Sequence, residues 1–299
     1  MTGYSDPLYA ASLAEFGTPR LLPKSGGWIL ERQIPGTPFK DAMGCYPLFS
    51  CKDWSKLGED IKALEGELVS LALVTDPFAD ISAENLAEIF DVCVKFKDHY
   101  IANLSHPIHT FVRKNALKYA RSSLKKVSIE HCVNPKEYFA EWFTLYQFLI
   151  DRHQISGIRA FSEKSFDILL GTSGLEMFIA RFENKVVGAE LWLVDRNIGY
   201  EHLAAISPNG YKLNASYALH LTVMNYFSKS LGYLDFGSGS GLKPGADGLT
   251  WFKRGWTNET KPVYFCGCIL DKEKYIQIVQ ANKLANTNYF PLYRAGEYE

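Results

Sequence analysis

Apolar and polar positions along this chain follow two periods, and the switches between them mark out the elements. Residues 28–34 (WILERQI) alternate as a strand does, and Pro35, Gly36 and Pro38 end the run. Residues 53–64 (DWSKLGEDIKAL) have a helical period, with Asp53 or Ser55 placed to cap it. Residues 68–74 (LVSLALV) form an apolar run of strand length, stopped by Asp76-Pro77. A second helix is expected over 82–94, capped by Ser82 with Asn85 three residues on. A third, basic helix covers 113–126, a short strand 127–131, and a long aromatic-rich helix 135–152. Residues 1–25 read as an irregular or partly helical lead-in.

The second half repeats the alternation more clearly. Residues 163–170 are helical, and 177–182 and 186–194 pair as a hairpin around Glu183-Asn184-Lys185. Strand 198–206, helix 214–231, strand 233–236, strand 262–270 and helix 272–285 complete the series. Hairpins beside crossovers predict a mixed α/β sheet, not an all-parallel one.

Composition narrows the class. The 299 residues are 47% hydrophobic, enough for the core of one large or two medium domains. The net charge of −1 gives no bulk pull toward nucleic acid or membrane. No apolar run approaches the ~20 residues that span a bilayer. The first twenty residues lack a basic start followed by an apolar core, so no signal peptide is expected. Six cysteines without a CxxC pair predict free thiols in a reducing cytoplasm, and no zinc-ligand spacing is present.

The stretch from Tyr233 to Trp256, YLDFGSGSGLKPGADGLTWFKRGW, opens like the glycine loop of an S-adenosylmethionine-binding sheet. Such a loop needs a helix directly behind it, because the helix N-terminus supplies free N–H groups and partial positive charge. Here the glycines run into Leu242-Lys243-Pro244-Gly245-Ala246-Asp247-Gly248, which is turn chemistry. A doubly wound methyltransferase also needs more strand–helix units than the remaining residues allow.

The ordered series hairpin, hairpin, proline-containing turn, helix, strand, loop, strand resembles the GNAT superfamily, and more closely its FemAB-like group, whose chains carry two GNAT-type halves in tandem. The resemblance is carried by Val187-Gly188-Ala189-Glu190-Leu191-Trp192, by Tyr200-Glu201-His202-Leu203-Ala204-Ala205, by the run from Gly210 to Leu219, by Gly248-Leu249 with Phe252-Lys253-Arg254-Gly255-Trp256, and by Phe290-Pro291-Leu292-Tyr293-Arg294. In the first half it rests on the basic helix from Arg113 to Arg121. It implies a lead-in (1–25), a degenerate GNAT-like lobe (26–150) and a catalytic GNAT-like lobe (151–299). The activity implied is N-acyl transfer of a group other than aminoacyl, from acyl-CoA or a similar carrier to the amine of a small or cell-wall-type acceptor. No tightly bound cofactor and no metal are implied. One alternative is tRNA-dependent aminoacyl transfer of the peptidoglycan-bridge (Fem) type, with aminoacyl-tRNA as donor. Another is a non-catalytic binding protein of the same fold.

The resemblance also assigns roles. The strand 198–206 would present an oxyanion-binding backbone N–H at a bulge, and the strand beginning at Tyr233 would splay away from it. Lys253 would be a fixed cation beside developing negative charge, His202 a general base and Tyr217 a leaving-group acid, with Tyr211 its rival. The carrier would sit at Tyr211, Lys212, Asn214, Ala215 and Ser216, where Asn214 and Ser216 can cap the next helix. Both glycines usual at this turn in CoA-binding members are missing, so close backbone approach to a pyrophosphate is harder. Asp235, Gly237, Gly239, Arg254, Trp192 and Tyr200 would line the substrate cleft. The basic helix places Lys114, Lys118, Arg121 and Lys125 on one face with no acid among them, either a phosphate-binding stripe or a solvated surface.

Overall fold

The computed structural model describes residues 2–239, 248–281 and 287–297. The chain divides into two compact units. One comprises Gly3–Phe96 and Pro262–Glu299, the other Lys97–Lys261 together with Thr2.

The first unit opens with helix α1 (Pro7–Ser12), whose N-terminus is capped by Asp6. Strands β1 (Thr18–Leu21), β2 (Trp28–Gln33) and β3 (Lys40–Gly44) follow, then helix α2 (Leu57–Lys62), strand β4 (Ser70–Val74) and helix α3 (Ala83–Ile89). Ser82 caps α3 by accepting from the Asn85 N–H. β5 (Val92–Asn103) then carries the chain into the second unit. The second unit continues with α4 (Ile108–Phe111), α5 (Lys114–Ser123), β6 (Ser128–Cys132), α6 (Phe139–His153) and α7 (Glu163–Leu169). Strands β7 (Leu175–Phe182), β8 (Lys185–Asp195) and β9 (Ile198–Ile206), helices α8 (Pro208–Lys212) and α9 (Ala215–Phe227), strand β10 (Tyr233–Asp235) and helix α10 (Gly248–Lys253) complete it. β11 (Glu259–Ile269) returns the chain to the first unit, where α11 (Lys272–Ala281) and a 3-10 turn at Leu292–Arg294 follow.

The strand order is β1-β2-β3-β4-β11 in the first unit and β5-β10-β9-β8-β7-β6 in the second. β3–β4 and β9–β10 are parallel, and the other strand pairs within each unit are antiparallel, so the mixed α/β sheet expected from the sequence is present. The β7–β8 hairpin turns through Glu183 and Asn184, both at positive φ, as a tight hairpin turn of the right twist requires.

In the second unit α5 presents Ala116, Leu117 and Ala120 to an apolar cluster that also holds Ala218, Leu219 and Val223 of α9 and Trp192 and Leu234 of the sheet. Small residues at the α5–α9 contact let the two helices approach closely. Trp142 and Tyr146 of α6 pack on Phe166 of α7, as the aromatic periodicity of 135–152 implied.

Several expectations need correction. Residues 92–94 belong to β5, not to a helix running through 82–94, because α3 ends at Ile89. Helix 214–231 is α9, which ends earlier, at Phe227, and it is preceded by a short α8 that was not expected, with Asn214 in the left-handed region between them. The lead-in is partly helical as expected, through α1, but it also contributes strand β1. The boundary placed at residue 150 falls inside the second unit, because β11 pairs with β4 and ties the C-terminal segment to the N-terminal one. The turn read over 242–248 lies outside the described residues except for Gly248, which begins α10; residues 282–285 of the last predicted helix are likewise outside them.

Candidate functional site

The site grows from a fork in the second unit's sheet. β9 and β10 run parallel for only three residue pairs, Tyr233–Ile198, Leu234–Gly199 and Asp235–Tyr200. Beyond Asp235 the chain leaves β9 and follows β5 instead: the Phe236 N–H donates to the Tyr100 carbonyl and the Tyr100 N–H to the Gly237 carbonyl. β9 continues to Ile206 beside β8 alone. The strands therefore meet at their start and part afterwards, which is the splay the resemblance implied.

β9 also carries the expected irregularity. Leu191 faces Leu203 while its neighbour Trp192 faces Glu201, so His202 is an extra residue with no partner on β8. A bulge of this kind breaks strict alternation and re-aims side chains. Glu201 turns toward α9, where its Oε1 lies 3.4 Å from Nε2 of His220. His202 turns to Phe161, whose ring it meets edge to face at 5.5 Å.

A buried polar relay lies on the α9 side. Glu190 of β8 is fully buried; its Oε1 lies 2.7 Å from Nδ1 of His220 and its Oε2 accepts from the Trp192 indole N–H at 3.1 Å. His220 thus bridges two carboxylates, Glu190 behind and Glu201 in front. Burial alone would pull the imidazole's pKa down, but Glu190 and Glu201 together outweigh it and raise the pKa above the ordinary histidine value. Burial raises the Glu201 pKa, and Glu190 and Asp235 add to that, while His220 and Lys253 oppose it in part. Ligand atoms of Glu190, Glu201 and His220 lie within 4.8 Å of one another, a donor set that can hold a divalent cation. Here the protein supplies its own positive charge to those carboxylates, from His220 and from Lys253.

Lys253, at the last turn of α10, reaches the other side of the fork. Its Nζ donates to the Ser238 carbonyl at 3.1 Å, and a Cβ at Gly237 would lie 3.3 Å from it. Gly237 has φ +69°, a conformation that side chains rarely adopt, and its N–H donates to Asp235 Oδ1 at 2.7 Å. Asp235 also holds Nδ1 of His99 at 2.8 Å. Asp235, Gly237 and Lys253, singled out in the sequence, are thus brought together at the C-terminal end of β10, with Gly239 in the same loop.

The other sequence candidates are placed differently. Trp192 is wholly buried against Phe227 and Phe236, and supports Glu190 from within the core. Tyr200 is buried in the paired part of β9. Burial lowers the pKa of His202 to about 3. Arg254 is exposed. Ala215 is fully buried, Asn214 makes no side-chain cap, and Ser207 caps the preceding α8 instead. Tyr211 and Lys212 are exposed, with the Arg152 guanidinium 4.2 Å over the Tyr211 ring. Tyr217 packs away from Tyr211, edge to face on Phe252 at 4.9 Å, and burial raises its pKa.

Glu190, His220 and His99 were not singled out in the sequence. A carboxylate inside VVGAELWLV and an imidazole inside YALHLTVM were the available signals, since a charge in a run destined for burial needs a partner.

No protein-family model and no curated protein sequence matches the chain. Solved structures do. FemX aligns at TM-score 0.66 with 13% identity, covering 91% of this chain and 93% of its own. A domain described as the C-terminal part of a lysylphosphatidylglycerol synthetase from Agrobacterium fabrum aligns at 0.61 with 14% identity, over 93% and 92%. L-PGS from Bacillus licheniformis aligns at 0.58 with 13% identity, over 95% and 98%. These matches overturn the expectation of a transferase restricted to groups other than aminoacyl: the structures that align over nine-tenths of the chain include FemX, L-PGS and a domain described as part of a lysylphosphatidylglycerol synthetase. The chain has the mixed α/β fold of FemX and of the synthetase domain, the fold expected from the FemAB-like resemblance.

Proposed function

We propose that the protein is an aminoacyltransferase, moving an aminoacyl group from the ester of a charged tRNA to an acceptor amine. The observation that carries this reading is the Glu190–His220–Glu201 relay facing Lys253 across the strand fork, on a fold that FemX shares over nine-tenths of both chains. The loss of both carrier-loop glycines and the burial of Ala215 at the start of α9 support an ester donor over a pyrophosphate-bearing one.

In this reading Glu201 is the general base in place of His202, because burial leaves His202 too weakly basic. The acceptor nitrogen attacks the ester carbonyl carbon, forming a C–N bond, and its proton passes to the Glu201 carboxylate. His220, braced by Glu190, stabilises that carboxylate until it is protonated. The carbonyl oxygen gains negative charge, which the Lys253 ammonium balances, together with a backbone N–H at the β9 bulge. The C–O bond then breaks, and the ribose hydroxyl leaves with the proton from Glu201. Charge separation is small because the proton that leaves the amine returns to the departing oxygen.

The test is incubation of the protein with a pool of charged tRNAs and with primary amines, including lysine-containing cell-wall peptides. Mass spectrometry should find an amide heavier by one aminoacyl residue, formed only when the tRNA is charged. Acylation from acetyl-CoA without any product from charged tRNA would overturn the reading.

A further inference from the structure

Two buried polar groups of the second unit, His99 of β5 and Asp235 of β10, carry no step of the reaction above. An imidazole and a carboxylate this far from water need partners, and here they partner each other. Nδ1 of His99 lies 2.8 Å from Oδ2 of Asp235 and 3.1 Å from Oδ1. A carboxylate offers only acceptors, so Nδ1 carries the hydrogen and donates it.

The second donor to Asp235 is the Gly237 N–H, at 2.7 Å from Oδ1. A local irregularity directs that N–H to the side chain. Tyr100 of β5 accepts from the Phe236 N–H and donates to the Gly237 carbonyl, so two residues of one strand face one of the other, as in a bulge. Gly237 takes up the extra length at φ +69°. Asp235 closes on the amide two residues ahead, as aspartates do in turns. The next carbonyl, that of Ser238, accepts from the Lys253 ammonium at 3.1 Å. One connected series therefore runs from the His99 ring through Asp235 and the Gly237–Ser238 backbone to Lys253.

Each link bears on position. A lysine stem is flexible, so its ammonium is placed by the group it donates to. A carbonyl in a glycine loop is only as fixed as that loop. Asp235 pins the loop, and a carboxylate with two donors holds one orientation where one donor leaves it free to turn. A strand that needed only filling at this point would hold an apolar side chain without loss of stability.

We propose that His99 is a positioning residue for Lys253: through Asp235 it fixes the Gly237–Ser238 backbone that anchors the ammonium facing the reacting carbonyl. The inference rests on the role given to Lys253 in aminoacyl transfer and adds what sets its place.

The test has one arm that needs no activity and one that does. Native-state hydrogen exchange of the Gly237 amide, followed by NMR, reads the loop directly; His99→Leu should speed it at least about ten-fold. His99→Asn keeps a donor toward Asp235 and should hold exchange near the wild-type rate. In the kinetic arm, His99→Leu should lower kcat roughly ten- to a hundred-fold, the scale of a small misplacement, with KM little changed, and His99→Asn should recover most of the loss. The same His99→Leu change made in Lys253→Ala should alter kcat less than about two-fold, because the residue it positions is gone. Denaturant melts check folding, and His99→Val, suited to a strand, carries the same expectations if leucine does not fold. Unchanged Gly237 exchange overturns the proposal whatever the activity. An equal loss of kcat with and without Lys253 also overturns it, since His99 would then act on the fold as a whole. If the wild type transfers nothing from charged tRNA, the functional reading fails, while faster Gly237 exchange in His99→Leu still upholds the anchoring of the loop.

Discussion

Replacing Lys253 with alanine should slow aminoacyl transfer by about 10²- to 10³-fold, in kcat more than in KM. Lys253 sits at the C-terminal end of α10, and among the described residues its ammonium donates to the Ser238 carbonyl and has no carboxylate at ion-pair distance, so it is held in place with its charge available. A fixed charge of that kind stabilises an oxyanion without reorganisation at the moment of reaction, and loss of one such donor costs about 3 kcal/mol. The backbone should tolerate the change, because Lys253 is only half-buried and its contribution to packing is an alkyl stem. Steady-state kinetics on Lys253→Ala and Lys253→Arg would separate charge from shape: arginine should restore part of the rate, alanine none. Equal rates for all three proteins would remove Lys253 from the reaction.

Glu201→Gln should cost 10²- to 10⁴-fold in kcat, the usual worth of a positioned general base. Its pH dependence is the sharper observable. Burial, with Glu190 and Asp235, raises the Glu201 pKa, so the carboxylate form is lost at higher pH than for an ordinary glutamate. Below that pKa Glu201 carries a proton and cannot accept one, so wild-type kcat/KM should rise as pH rises through it. Glutamine has no such proton, and the acidic limb should vanish from its residual activity. Lys253 holds the Glu201 pKa down, so in Lys253→Ala the limb should move to still higher pH. An unchanged profile in the glutamine variant would show that another group limits the rate in acid.

The sequence yields the two periods of this fold well where punctuation is strong. The β7–β8 hairpin reads directly because Glu183-Asn184 interrupts two alternating runs, and β9 is placed with its true ends. β5 is missed because VCVKFKDHYIAN follows α3 with no glycine or proline between them, so its alternation looks like the tail of a helix. α10 is hidden behind Lys243-Pro244-Gly245, which announces a turn and says nothing of what comes after.

The site was half legible. Lys253, Asp235 and Gly237 could be chosen because charge and glycine cluster within twenty residues of one loop. The relay could not, because its members come from β8, β9 and α9 and meet only through the parallel crossover. Strict alternation put Tyr200, His202 and Ala204 on one face and Glu201 on the other. The bulge at His202 left Glu201 facing α9 and gave His202 a buried, aromatic neighbourhood that suits a neutral ring. An imidazole is the natural choice for a base near neutrality, but burial lowers the pKa of His202 and takes that away, whereas burial raises a carboxylate toward the working range.

A crystal structure with an amide-linked analogue of 3′-aminoacyl-adenosine tests the central claim most directly. The amide carbonyl oxygen should lie in the fork between β9 and β10, about 3 Å from the Lys253 ammonium, with the ester-mimicking nitrogen toward Glu201. An analogue bound away from the fork, or a Lys253 side chain turned from the carbonyl with Glu201 out of reach, would contradict the account.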